Sequence, residues 1–114
     1  LKGITKKIVL DVASILEEKK AKDILILDLR RVCLFTAYFL ICSGTSSIHL
    51  RSVAETVEER LKERGIKELH KEGLAQSGWI LLDYGDLIIH IFGEEERRFY
   101  NLERLWGDAK IVPC

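Results

Sequence analysis

The sequence has no methionine, one proline, one asparagine (Asn101) and one glutamine (Gln76) in 114 residues. Proline and glycine are too few and too scattered for a linker, and no repeat or low-complexity tract occurs. It also has no net charge: 18 Lys and Arg balance 18 Asp and Glu. A general nucleic-acid coat protein needs a basic excess, which this chain lacks. Apolar runs are short, and none approaches the roughly 20 residues of a membrane-spanning helix. The stretch from Leu1 to Lys7 is charged and leads into an amphipathic pattern, unlike a signal peptide. Without a methionine, Leu1 is not expected to be the encoded first residue. Cys33, Cys42 and Cys114 are odd in number and widely spaced, so neither a disulfide framework nor a C-x-x-C zinc pair is indicated. Thiols in apolar runs serve most often as small buried hydrophobes, which places the chain in a reducing compartment.

What is present is a globular pattern. Apolar residues make up 47% and charged residues 32%, a balance that excludes intrinsic disorder. The length suits one domain, 1–114, large enough to bury a real core. Ile4, Ile8, Val12, Ile15 and Leu16 predict an amphipathic helix over 4–20. Ile24 to Leu29 and Tyr38 to Cys42 read as buried strands, with a change of direction at 32–37. Ser43-Gly44-Thr45-Ser46-Ser47 then opens a helix carrying Leu50, Val53, Ala54, Val57 and Leu61, and Gly65 stops it. A short strand is expected near Lys67 to His70. Glu94-Glu95-Glu96 opens a last helix, with an apolar stripe of Phe99, Leu102, Leu105 and Trp106 and a stop at Gly107. Ile111 and Val112 would add a short edge strand. The alternation predicts an α/β fold: a single layered domain with a mixed sheet of about five strands and flanking helices.

Residues 79–92 carry the sharpest pattern. Two β-rich runs flank Tyr84-Gly85, which suits a two-residue hairpin turn. That turn pairs Asp83 with Asp86, Leu82 with Leu87, Leu81 with Ile88, Ile80 with Ile89 and Trp79 with His90. Alternation then puts Ile80, Leu82, Leu87, Ile89 and Ile91 on one face. Trp79, Leu81, Asp83, Asp86, Ile88, His90 and Phe92 fall on the other. Large apolar groups, an imidazole and two acids together resemble a partner surface, with aromatic anchors and a polar rim. A helix over the apolar part, with the acids at an exposed turn, accounts for the same residues. The pattern leaves both readings open.

Other chemistry is thinly supported. Ser43 to Ser47 joins a strand to a helix N-terminus, where free amides can hold an anion. One glycine and no following lysine do not make a P-loop, and a capped strand-to-helix turn is the favoured reading of the segment. Cys42 lies near His49 in sequence, which does not make a dyad. His49, His70 and His90 lack metal-binding spacing, and no cofactor is expected. Asp83 and Asp86 beside Gly85 read first as turn formers.

Three segments carry a resemblance. Residues 35–47 (Phe-Thr-Ala-Tyr-Phe-Leu-Ile-Cys-Ser-Gly-Thr-Ser-Ser), 78–86 continuing through His90-Ile91-Phe92, and 98–109 (Arg-Phe-Tyr-Asn-Leu-Glu-Arg-Leu-Trp-Gly-Asp-Ala) resemble the three signatures of the ribosomal silencing factor, or Iojap, family. The resemblance runs from about Ile4 to Ile111. Ala37 stands where that family commonly has an aspartate, and Cys33 sits in a segment that is often serine-rich.

The resemblance implies a partner, the large ribosomal subunit, met chiefly through its protein fourteen, with a minor ribosomal RNA contact and no membrane. It implies a translational repressor that blocks joining of the small subunit by bulk, without being an enzyme. A role in large-subunit assembly is the alternative. It also implies homodimers of the free protein, a bacterial cytoplasmic or organellar location, and a nucleotidyltransferase-like fold. A nucleotide-binding enzyme of that kind would require two acids at alternate positions of one strand, and no D-x-D or D-x-E follows Gly44. The expected contact set is Trp79, Leu81, Asp83, Ile88, His90 and Phe92, with Tyr84 and Asp86 at its edge. The last helix would add Arg98, Tyr100 and Glu103.

Overall fold

The computed structural model describes residues 3–101 and 110–112. The chain runs α1 (Lys6–Glu18), β1 (Lys22–Asp28), β2 (Tyr38–Gly44), α2 (Ser47–Glu63), β3 (His70–Glu72), a single 3-10 turn (Ala75–Ser77), β4 (Trp79–Asp83), β5 (Leu87–Gly93), α3 (Glu94–Tyr100) and β6 (Lys110–Val112). Six strands form one sheet in the order β3-β4-β5-β2-β1-β6. The central pair β2–β5 is parallel, and every other pair is antiparallel. The expected mixed sheet is therefore present, with β6 as the short edge strand that Ile111 and Val112 suggested.

Both long helices start at hydroxyl caps. Thr5 Oγ1 accepts the Ile8 amide at 3.3 Å, and Ser46 Oγ accepts the His49 amide at 3.1 Å. α1 lies two residues inside each end of the predicted 4–20 span, with Thr5 setting its start. Gly65 has φ +77° just beyond α2, as a helix stop requires. The buried faces of α1 and α2 lie on one side of the sheet. There Val12, Leu16, Val53, Val57 and Leu61 meet Ile26, Leu40, Cys42, Leu82, Ile89 and Ile91 in the main core. A smaller cluster occupies the other side: Leu27, Leu29, Phe39, Ile41, Ile88 and Phe92, with Leu25, Cys33, Trp79 and Leu81 packed against it.

Three expectations are corrected. The third strand is His70–Glu72, overlapping the expected segment at His70 alone. Its residues are exposed and polar, so backbone pairing to β4 defines it, from the Leu69 amide on the Asp83 carbonyl at 2.8 Å to Gly73 at φ +88°. A Cβ at Gly73 would lie 2.0 Å from the Trp79 carbonyl, so only glycine fits there.

The β4–β5 hairpin pairs Trp79 with Phe92, Ile80 with Ile91, Leu81 with His90, Leu82 with Ile89 and Asp83 with Ile88. Its loop is Gly85-Asp86, not Tyr84-Gly85. The Tyr84 amide donates to the Leu87 carbonyl at 2.8 Å, and Gly85 takes the first loop position with φ +85°. Asp83 Oδ1 accepts the Gly85 amide at 2.8 Å and fixes the bend. Sliding the loop by one residue moves every pairing by two, so each side chain keeps its predicted face. Tyr84 is the exception in the expected set. It lies just past the end of β4, outside the loop, and is buried in the main core, on the opposite face from the proposed contact.

The helix that opens at Glu94, α3, ends after seven residues, where Asn101 adopts a left-handed φ of +46°. Phe99, placed on the apolar stripe, is 81% exposed, and Tyr100, itself exposed, lays its ring against Trp79 instead. A helix this short builds no continuous stripe, and none of its residues is buried. Leu102, Leu105, Trp106 and Gly107 lie outside the described residues.

Candidate docking face

The second face of the sheet is organised in lateral rows. Trp79 stands beside Phe92 and Ser43; Leu81 beside His90, Ile41 and Leu25; Asp83 beside Ile88, Phe39 and Leu27. Rings fill the middle. Phe39 meets His90 edge-on at 4.6 Å, Trp79 lies 4.9 Å from Phe92, and Tyr100 of α3 lies 4.6 Å from Trp79. The Trp79 indole N–H donates to His90 Nδ1 at 3.2 Å. That bond puts the imidazole proton on Nε2, which is buried with no partner. Burial pulls the His90 pKa down to about 4, so the ring is neutral near pH 7.

Burial divides the expected contact residues. Phe92, His90 and Ile88 are buried and back the face from beneath. Trp79, Leu81 and Asp83 are half-buried and reach its surface, and Asp86 is exposed at the turn. Arg98 and Tyr100 are exposed on α3, Tyr84 faces the other way, and Glu103 lies outside the described residues. The structure thus brings Trp79, Leu81, Asp83 and Tyr100 to one surface.

Two features escape the sequence reading. Arg97 Nη1 donates to the Asp23 carbonyl at 2.7 Å and to Ser43 Oγ at 3.1 Å, tying α3 to the ends of β1 and β2. Nothing in the sequence distinguishes it from Arg98. The β1–β2 connection exposes Val32, Leu34 and Phe35. Apolar residues in a bend carry no mark of whether they are covered, so the sequence holds no signal for this exposure.

The alternative sites have unfavourable chemistry. A cleft of about 300 Å³ lies at the start of α2, lined by Gly44, Thr45 and Ser46 but also by Glu94, Glu95 and Glu96. The Thr45 amide is already bonded to His49 Nδ1 at 3.0 Å. Three carboxylates and a used amide disfavour a phosphate there. Burial pushes the Cys42 thiol up to about 12, where it is a poor nucleophile. Among the described residues, no group of three or more His, Cys, Asp or Glu side chains could hold a metal. None of their helices is long and apolar enough to cross a membrane.

The sequence profile of the family described as "Ribosomal silencing factor during starvation" matches residues 4–113. The chain belongs to that family. It is 40% identical over 100 residues to the ribosomal silencing factor of Bacillus subtilis, covering 88% of this chain and 85% of that one. The chloroplastic Iojap protein of Zea mays is 32% identical, over 83% of this chain and 41% of its own length. A further relative is the mitochondrial Iojap-related protein of Arabidopsis thaliana, 31% identical over 85% of this chain and 55% of its own. The family thus has bacterial and organellar members. A crystal structure from Chromobacterium violaceum superposes with a TM-score of 0.87 at 30% identity, covering 92% of this chain and 88% of that one. One from Bacillus halodurans gives 0.84 at 31% identity, covering 96% and 100%.

Proposed function

We propose that this chain silences ribosomes by binding the large subunit, chiefly its protein fourteen, and excluding the small subunit by bulk. Membership in the silencing-factor family supports the ribosomal partner. The observation that carries the site is Trp79: half-buried, backed by Phe92 and His90, and on the same surface as Asp83. An aromatic ring held by other rings is pre-organised as an anchor, because little freedom remains to be lost on docking. Acids at the rim suit a basic ribosomal protein better than RNA, and the zero net charge agrees. The reading requires neither turnover nor a cofactor.

The test is co-sedimentation with purified large subunits, wild type beside Trp79→Ala, with circular dichroism as the folding control. Loss of a true anchor costs about 2 kcal/mol, roughly thirty-fold in affinity. Wild type that stays in the supernatant at low and moderate salt would overturn the reading. If Trp79→Ala is folded and pellets like wild type, the partner is right and the face is wrong.

A further inference from the structure

The most exposed apolar side chain among the described residues, Leu34, is not on β4 or β5. Leu34 is fully exposed and Phe35 is 67% exposed, at the tip of the β1–β2 connection. The base of this connection is firmly held. The Leu29 amide donates to the Ala37 carbonyl at 2.8 Å, and the Leu29 carbonyl accepts the amides of Val32 and Cys33 at 3.0 and 2.9 Å. Thr36 is buried, and Cys33 packs into the cluster beneath Trp79 and Leu81. Two neighbouring large hydrophobes on a pinned loop are costly in water unless something covers them.

The position of the loop indicates what that is. The amides of Ala37 and Tyr38 both donate to the Asp86 carbonyl, at 3.2 and 2.9 Å, so the loop adjoins the Gly85-Asp86 turn. It therefore continues the docking face at its Asp83 end, while Tyr100 and Phe99 stand at the Phe92 end. The seven residues of β5 separate the two ends by roughly 20 Å. Charge there is weighted to acid. Arg30 is forked onto Asp28 at 2.6 Å and lies over Tyr38, a residue of the opposite face. By count, that leaves one base, Arg31, for the two acids Asp83 and Asp86.

We infer that Leu34 and Phe35 form a second anchor, which inserts into an apolar recess on the same basic ribosomal protein that Trp79 meets. This rests on the ribosomal reading above and extends it to a loop that carries none of the expected contact residues. A rigid, apolar tip beside two acids is complementary to a protein pocket with a basic rim. It is poorly suited to a phosphate backbone, which the acids would repel.

The test uses the full chain with Leu34→Ser and Phe35→Ser combined. Both side chains are exposed, so the melting temperature should stay within a few degrees of wild type. Binding to purified large subunits is expected to weaken at least ten-fold. Asp86→Lys should also weaken it, since it removes a carboxylate from the rim. If wild type pellets and the double variant pellets equally, the anchor is refuted and the ribosomal reading stands. If wild type does not pellet, both fall together. Equal weakening on protein-stripped large-subunit RNA, or tighter binding by Asp86→Lys, would make the occupant RNA and overturn the inference. Weakened self-association by sedimentation velocity, with subunit binding intact, would make it a second copy and overturn it too.

Discussion

The two faces of this sheet are built from alternate residues of the same strands, yet they follow different rules. Leu40, Cys42, Leu82, Ile89 and Ile91 face α1 and α2 and are fully buried or nearly so among aliphatic side chains. Their immediate neighbours in sequence, Phe39, Ile41, Leu81, His90 and Phe92, face rings, a half-buried indole and a nitrogen without a partner. The first face spends its burial on stability alone. The second retains an unsatisfied polar atom and surface apolar groups that a purely stabilising design would remove. Selection for folding explains the first arrangement; the proposed docking rests on the second.

The comparison can be broken most directly within one strand. Leu82→Ala removes a fully buried side chain from the main core and should cost about 2–5 kcal/mol in urea unfolding. Leu81→Ala, one residue earlier and half-buried on the other face, should cost about 1 kcal/mol. Equal costs would mean that the second face is core as well.

The next effect is set by His90. Unfolded, its ring takes up a proton as the pH falls through about 6.5; folded, it stays neutral down to about 4. Between those values the unfolded chain binds more protons, so stability falls as the pH falls, and above them the ring contributes nothing. Wild type should therefore lose about 3 kcal/mol more than His90→Phe between pH 7 and pH 4. Parallel losses in both proteins would show that the ring is hydrated in the folded state.

The smallest effect concerns Tyr100. Tyr100→Ala removes an exposed ring that meets Trp79, Phe92 and Phe99, and should cost about 1 kcal/mol. With Trp106→Phe as background, Trp79 is the sole indole and should become more accessible to acrylamide. Unchanged quenching would mean that Tyr100 does not shield Trp79.

Much of this was legible in the sequence. The assignment of residues to faces survived a wrong turn because period-two alternation depends on parity, and the loop moved every pairing by an even number. Tyr84 was misplaced because a Tyr-Gly turn and a Gly-Asp turn are both credible from composition, and only the buried phenol decides between them. Its burial beside the carboxylates of Glu68 and Glu58 pushes the hydroxyl pKa up, consistent with a core position. β3 was displaced because His70, Lys71 and Glu72 carry no hydrophobic pattern; its pairing is a property of the backbone. The exposure of Leu34 and Phe35 could not be read, since apolar residues in a bend look the same whether they are covered or bare.

The parallel pairing at the centre of the sheet also governs how the chain can fold. Tyr38 lies opposite Leu87, about fifty positions further along, so β2 gains its β5 neighbour only after most of the chain is available. A nascent chain ending at Gly78 would hold β2 with one side unpaired and its largely apolar run open to other chains. Assembly is therefore timed by the last third of the sequence. Substitutions in β5 should slow refolding in stopped-flow experiments more than equally destabilising ones in α1, and the reverse order would exclude late closure of the sheet as the rate-limiting step.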